Sequence, residues 1–236
     1  MKTLIVGCRT LENELSRAIA ECGCPHEVRW VESGLHNVPK NLASALQMII
    51  DSAQDYSCAL MAFGFCGNAI SGLRSGGVRL IFPRVDDCIS LLLGSFDNKQ
   101  ALSEAPVEDA KMPPEGRHGT YFMTEGWLKG ERNIWKEYQH AIQKYGEELG
   151  GSIIEMMLEH YKTLALLDTG CFDLPGANAE MTTIAETLKL EYKVFPATIE
   201  YLKRLLTGPW DESSFLVIPP YSVIQESDLV LRPPLR

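Results

Sequence analysis

The chain has 236 residues, 45% apolar and 22% charged, enough to bury a substantial core in one large domain or two small ones. Its formal net charge of −9 argues against polyanionic partners, so neither nucleic acid nor a membrane surface is expected to bind it. No run approaches the roughly 18 apolar residues that a membrane span needs.

The N-terminus, MKTLIVGCRTLENEL, lacks a small-residue cleavage site, and acidic residues follow at once. It reads as a first strand over residues 2–7 and not as a signal peptide. Leu11, Leu15 and Ile19 recur at helical spacing, and residues 26–31 (HEVRWV) alternate as a second strand does. A helix follows over 41–54, then a third strand over 58–63, a fourth over 78–82 and a helix opening at Asp86 and Asp87. Residues 96–120 are polar with three prolines and read as loop with a short helix, and 126–160 read as mainly helical. Strand 163–167, helix 177–188, strand 191–195, helix 199–206 and strand 215–218 complete the chain, with an arm or packed tail after Val223.

Strands separated by single helices imply parallel pairing. The expected fold is Rossmann-like α/β, a mostly parallel sheet in two α/β blocks around a helical middle segment. The blocks span 1–95 and 163–236, with 96–162 between them, and one compact unit is expected.

Seven cysteines at irregular spacing do not suit a disulfide framework, and reduced thiols in a cytoplasmic protein are the better reading. In open α/β sheets ligands bind beyond the carboxyl ends of the strands. Cys8 follows the first strand, His36 lies in the loop after the second, Cys66 follows the third between glycines, and Cys88 follows the fourth. If the sheet is parallel, three thiols and one imidazole converge, and such a set suits zinc or another soft divalent metal. Core packing is the alternative for each cysteine taken singly, and the preferred reading for Cys58. A solvated turn is favoured for Cys22 and Cys24, and Cys171 is a spare ligand or a bystander.

GTYFMTEGW supplies Tyr121 and Trp127 as substrate-binding candidates and Glu125 as a candidate acid/base or amine-binding group, with an edge strand as the alternative. Asp87 is a second catalytic candidate. Arg84 and Asn68 are candidates for substrate contact, Arg84 for a carboxylate because a guanidinium binds one bidentately. Asp168, at a strand end, is a partner for His36 or a substrate contact. No GxGxxG, P-loop or GxSxG is present, so nucleotide and serine chemistry have no support.

GLHNVP, GFCGNAISGLRSG, PRVDDCISLLLGS, GTYFMTEGWL, LLDTG and FLVIPP occur in this order. Together they resemble a bacterial and archaeal family catalogued as a domain of unknown function, often encoded beside corrinoid-dependent methyltransferases. The resemblance runs from about residue 1 to 222. The family pattern has a cysteine near the first strand, Gly-Leu-His, Cys-Gly-Asn and a His-Asp-Cys triplet; Cys8, His36, Cys66 and Cys88 match it. Asp86 stands where the family has the histidine, which puts any role of that imidazole in question. The resemblance implies one-carbon (methyl) metabolism and a corrinoid protein or methyltransferase as partner.

The leading expectation is a zinc-like thiolate site that acts on a small thiol or amine-containing metabolite. As an enzyme the protein would be a metal-dependent methyltransferase or related transferase, since a metal-held thiolate is the nucleophile that accepts methyl. The alternatives are a non-catalytic metal- or corrinoid-handling accessory, and thiol redox chemistry at Cys66 and Cys88. A homo-oligomer is compatible with all three.

Overall fold

The computed structural model describes residues 2–103 and 119–231. Most of the expected proline-containing loop, and the end of the tail, lie outside the described residues. Eight strands and eight α-helices appear among those described. In chain order they are β1 (Thr3–Cys8), α1 (Glu12–Cys22), β2 (Glu27–Val31), α2 (Pro39–Asp51), β3 (Cys58–Ala62), β4 (Arg79–Pro83), α3 (Cys88–Leu92) and α4 (Phe96–Ser103). There follow β5 (Gly119–Met123), α5 (Glu125–Leu128), α6 (Ile134–Met157), β6 (Tyr161–Asp168), α7 (Leu174–Leu188), β7 (Glu191–Pro196), α8 (Glu200–Thr207) and β8 (Phe215–Ile218).

The fold is mixed α/β with mostly parallel sheets, as the strand–helix rhythm predicts. Five strands form one sheet in the order β2-β1-β3-β4-β8, and three form another in the order β5-β6-β7. The short apolar runs of β1, β3 and β4 are covered on both faces, the environment in which parallel strands are stable. Alternation along β1 sends Leu4, Val6 and Cys8 to the face covered by α2 and sends Ile5 to the other. On that other face, Leu15 of α1 and Leu202 and Leu205 of α8 pack with Leu60 and Ile81, and Leu167 of β6 joins the same cluster. The α1 and α8 helices therefore lie between the two sheets. The outer face of the second sheet is covered by α6 and α7, through Ile154, Met181 and Ile184 packed with Leu164 and Leu166.

The two blocks interleave in space. β8, from the end of the chain, pairs antiparallel with β4 and covers its otherwise open edge. The segment GTYFM, weighed as an edge strand, is β5 and pairs parallel with β6. The tail does not hang free, because Ile224 is buried and Leu229 and Leu231 pack against the first sheet's core. No helix among the described residues is long and apolar enough to cross a membrane.

Candidate functional site

Four parallel strands bring their carboxyl ends to one edge, and the loops there are locked to one another. After β3 the Phe65 amide donates to the Val85 carbonyl (2.9 Å) and the Cys66 amide to the Asp86 carbonyl (2.7 Å). Gly64 permits this close approach: a Cβ there would stand 2.6 Å from the Asp87 amide nitrogen. The chain then takes a left-handed turn with positive φ at Cys66 (47°), Gly67 (66°) and Asn68 (64°). A cysteine rarely adopts that conformation, so the turn holds the thiol against a steric preference.

These loops floor a cavity of about 270 Å³. Cys8, His36, Cys66 and Cys88 all line it, with Asp87, Tyr121 and Trp127. Thr124, from the same GTYFMTEGW segment, joins the wall, and sequence reasoning missed Phe63, Phe122 and Thr10. Cys88 lies near enough to both other thiols to act on Cys8 and to be acted on by Cys66 electrostatically. Thr10, two residues beyond Cys8, places its hydroxyl 3.0 Å from the Cys8 sulfur. The adjacent Cys88 thiol, and then burial, push the Cys8 thiol well above its ordinary range. The Cys88 thiol is also pushed well up, first by its Cys66 neighbour.

His36 sits in a short 3-10 turn, Ser33–Asn37, and its ring faces Trp127 of α5 with centroids 4.5 Å apart. Burial lowers its pKa while Asp87 opposes that, which favours the neutral imidazole, the form that ligates metals. Tyr121 lines the same wall as Trp127, and burial raises its hydroxyl above the ordinary range. The carboxyl end of β5 and α5 thus cover the edge of the first sheet.

Asp87 has a structural task as well. Its Oδ1 accepts from the Ile89 and Ser90 amides (2.9 and 3.1 Å), capping α3, and its Oδ2 pairs with Lys99 (2.5 Å). Asp86 pairs with the same lysine (2.7 Å) and with the Ser90 hydroxyl.

Four other predicted residues lie away from the thiols. Glu125 lines a neighbouring polar cavity, where Asn13 Nδ2 donates to its Oε2 (2.7 Å) and Lys129 pairs with its other oxygen. Arg84 donates to the backbone carbonyls of Glu212 (2.8 Å), Asp228 (3.1 Å) and Val230 (2.8 Å), which staples the tail to the fold. Asn68 is exposed at the left-handed turn. Asp168 accepts from the Gly170 amide (3.0 Å) and closes its own turn, and the carboxylate acting on His36 is Asp87. Among the remaining cysteines, Cys58 is buried within β3 with its thiol pushed up to about 11 by burial. Cys22, Cys24 and Cys171 pack against the core between the sheets.

In kind, three sulfurs and a neutral imidazole fit a soft divalent ion. Among the described residues, however, no three His, Cys, Asp or Glu side chains stand together in an arrangement that could hold one.

A family model described as a protein of unknown function (DUF1638) matches residues 30–206. The match includes His36, Cys66, Cys88, Tyr121 and Trp127, and Cys8 lies before its start. Searches of curated proteins and of solved structures give no significant match.

Proposed function

The chain belongs to the DUF1638 family of unknown function, and from that premise we propose that it binds a soft, zinc-like metal through Cys8, Cys66 and Cys88, with His36 as fourth donor, and acts on a small metabolite. One observation carries this reading. Three thiols from three separate strand ends meet at the floor of one apolar-walled cavity, held there by a left-handed cysteine and a glycine that admits no side chain. Core packing alone gives no reason to strain the backbone at Cys66.

With three of these donors on the metal and the fourth position open, the metal would hold a substrate thiol as thiolate, the nucleophile for methyl transfer. The chain's own residues do the rest. Phe63, Phe122 and Trp127 exclude water, and Trp127 packs on the His36 ring. Asp87 fixes α3 and with it Cys88. Methyl transfer as the reaction, and a corrinoid-bearing partner as methyl source, rest on the family resemblance.

Metal analysis of tag-free protein purified without oxygen tests the reading. Wild type should carry about one metal per chain. Cys8→Ser, Cys66→Ser and Cys88→Ser should each lose it, and Cys58→Ser should keep it. A metal-free wild type, or equal loss in Cys58→Ser, sinks the proposal. A second reading, a redox dithiol, is favoured by the nearness at which Cys66 acts on the Cys88 thiol and by the lack of a ligand arrangement among the described residues. It predicts no metal and two titratable thiols lost together on mild oxidation.

A further inference from the structure

Beside the thiol pocket lies a second cavity of about 490 Å³, and its walls are charged. The same two segments of chain separate the two spaces. In the first, Cys8 and Thr10 face the thiol pocket while Arg9, Glu12 and Asn13 face the second cavity. In the other, Thr124 and Trp127 face the thiols while Glu125 and Lys129 face away. Glu32 lines both cavities. The partition is tight, because a Cβ at Gly126 would stand 2.4 Å from the Thr10 carbonyl oxygen.

The second cavity is lined by the carboxylates of Glu12, Glu32, Glu125 and Glu131 against the cations of Arg9 and Lys129. Arg9 is divided between Glu12 (2.7 Å) and Glu32 (3.3 Å). Glu125 is the anchored member: it is 6% exposed and fixed by Asn13. Its cationic partner is of a different kind. The Lys129 side chain is 71% exposed and reaches in from solvent, so swinging it out costs little. A buried carboxylate whose counter-ion is a displaceable, solvent-borne ammonium is a place where a ligand's ammonium can substitute.

We infer that this cavity is the subsite for the ammonium end of an amine-bearing small molecule, which replaces Lys129 on Glu125 while its other end reaches the thiol pocket past Glu32. The inference rests on the reading that the thiol pocket holds the ligand's reacting end, and it names the substrate class for that site. A carboxylate at the same end would meet an acidic lining and is rejected.

Calorimetric titration with n-butylamine, butyrate and n-butanol tests it without requiring a metal. Butylamine should bind about tenfold or more tightly than either of the others. Glu125→Gln, which keeps an acceptor for Asn13, should erase that preference. Lys129→Ala should tighten amine binding several-fold, because an internal competitor is gone. A purely structural role for the Glu125–Lys129 pair predicts the opposite for Lys129→Ala, and that result, or a wild type without amine preference, overturns the inference. Metal content measured on the same samples keeps the two ideas apart. Amine preference in a metal-free wild type would leave the subsite standing and remove the metal reading; metal without amine preference would do the reverse.

Discussion

The two sheets end differently, although in both the parallel strands carry polar residues just past their carboxyl ends. At the first sheet's edge the loops after β3 and β4 bond to each other, and three side-chain thiols are left facing a cavity. At the second sheet's edge the loop after β6 satisfies itself. Asp168 accepts from Gly170, its carbonyl accepts from the Ala197 amide (2.8 Å), and the Thr169 hydroxyl donates to Glu14 (2.9 Å). Both edges offer candidates in sequence, yet among the described residues the first edge leaves its thiols facing a cavity while Asp168 is spent on its own turn. A strand end becomes a site when backbone bonds between loops do the holding, because side chains are then spared for chemistry.

Gly64→Ala attacks that arrangement directly and should have the largest effect. The new methyl would meet the backbone of Asp87 and Val85 at 2.6 to 2.8 Å, where nothing flexible can yield. A loss of about 3 kcal/mol in unfolding free energy is expected, and with it the metal content that the proposed site predicts. Gly67→Ala in the same turn is the control. It meets nothing within 4 Å and pays only for its φ of 66°, about 1 kcal/mol. Equal losses, measured by denaturant unfolding, would mean that loop-to-loop contact does not set this edge.

Arg84→Ala tests the opposite claim, that a residue at this edge is structural. Three charged hydrogen bonds would be lost, two to carbonyls on the tail and one to Glu212 before β8, at a cost of about 2 kcal/mol after allowing for partial exposure. Hydrogen exchange should rise across residues 224–231 while ligand affinity stays level. If affinity for the ligand falls with the tail still protected, the carboxylate-binding role expected from the sequence is restored.

The strand ends of the first sheet were legible because period-two and continuous apolar runs locate β1, β3 and β4 without any tertiary knowledge. Cys8, Cys66 and Cys88 inherit their positions from those ends, as does His36 from β2. What was not legible is whatever depends on distant chain. The return of β8 to β4, and of the tail to Arg84, leaves no local pattern, so Arg84 looked free. Asp168 looked equally free until Gly170 and Ala197 closed around it. Glu125 lies on a four-residue helix, too short for periodicity to say which way it faces. Neighbouring glycine and asparagine hint at a left-handed turn, but nothing in the letters places the cysteine inside it.

Glu14 joins the two regions and gives the smallest and most directional test. It projects from α1 toward the second sheet's edge, is buried, and accepts from Thr169, but its Oε2 has no partner among the described residues. Burial raises its pKa above the ordinary 4.5, and the nearby Glu125 charge adds to the rise. Below about pH 4.5 the carboxyl is protonated in both folded and unfolded chains and costs nothing. As pH climbs past that value the unfolded chain ionises first, so stability falls until the folded carboxyl has ionised too, and the penalty then stays constant. Glu14→Gln keeps the acceptor for Thr169 and removes the charge. It should therefore match wild type in acid and exceed it by about 1 kcal/mol or less at neutral pH, with the difference opening above pH 4.5. Thermal unfolding from pH 4 to 8 reads this out. A difference that shrinks as pH rises would mean that the carboxylate is stabilised at the seam, and that a cation or donor meets Oε2 there.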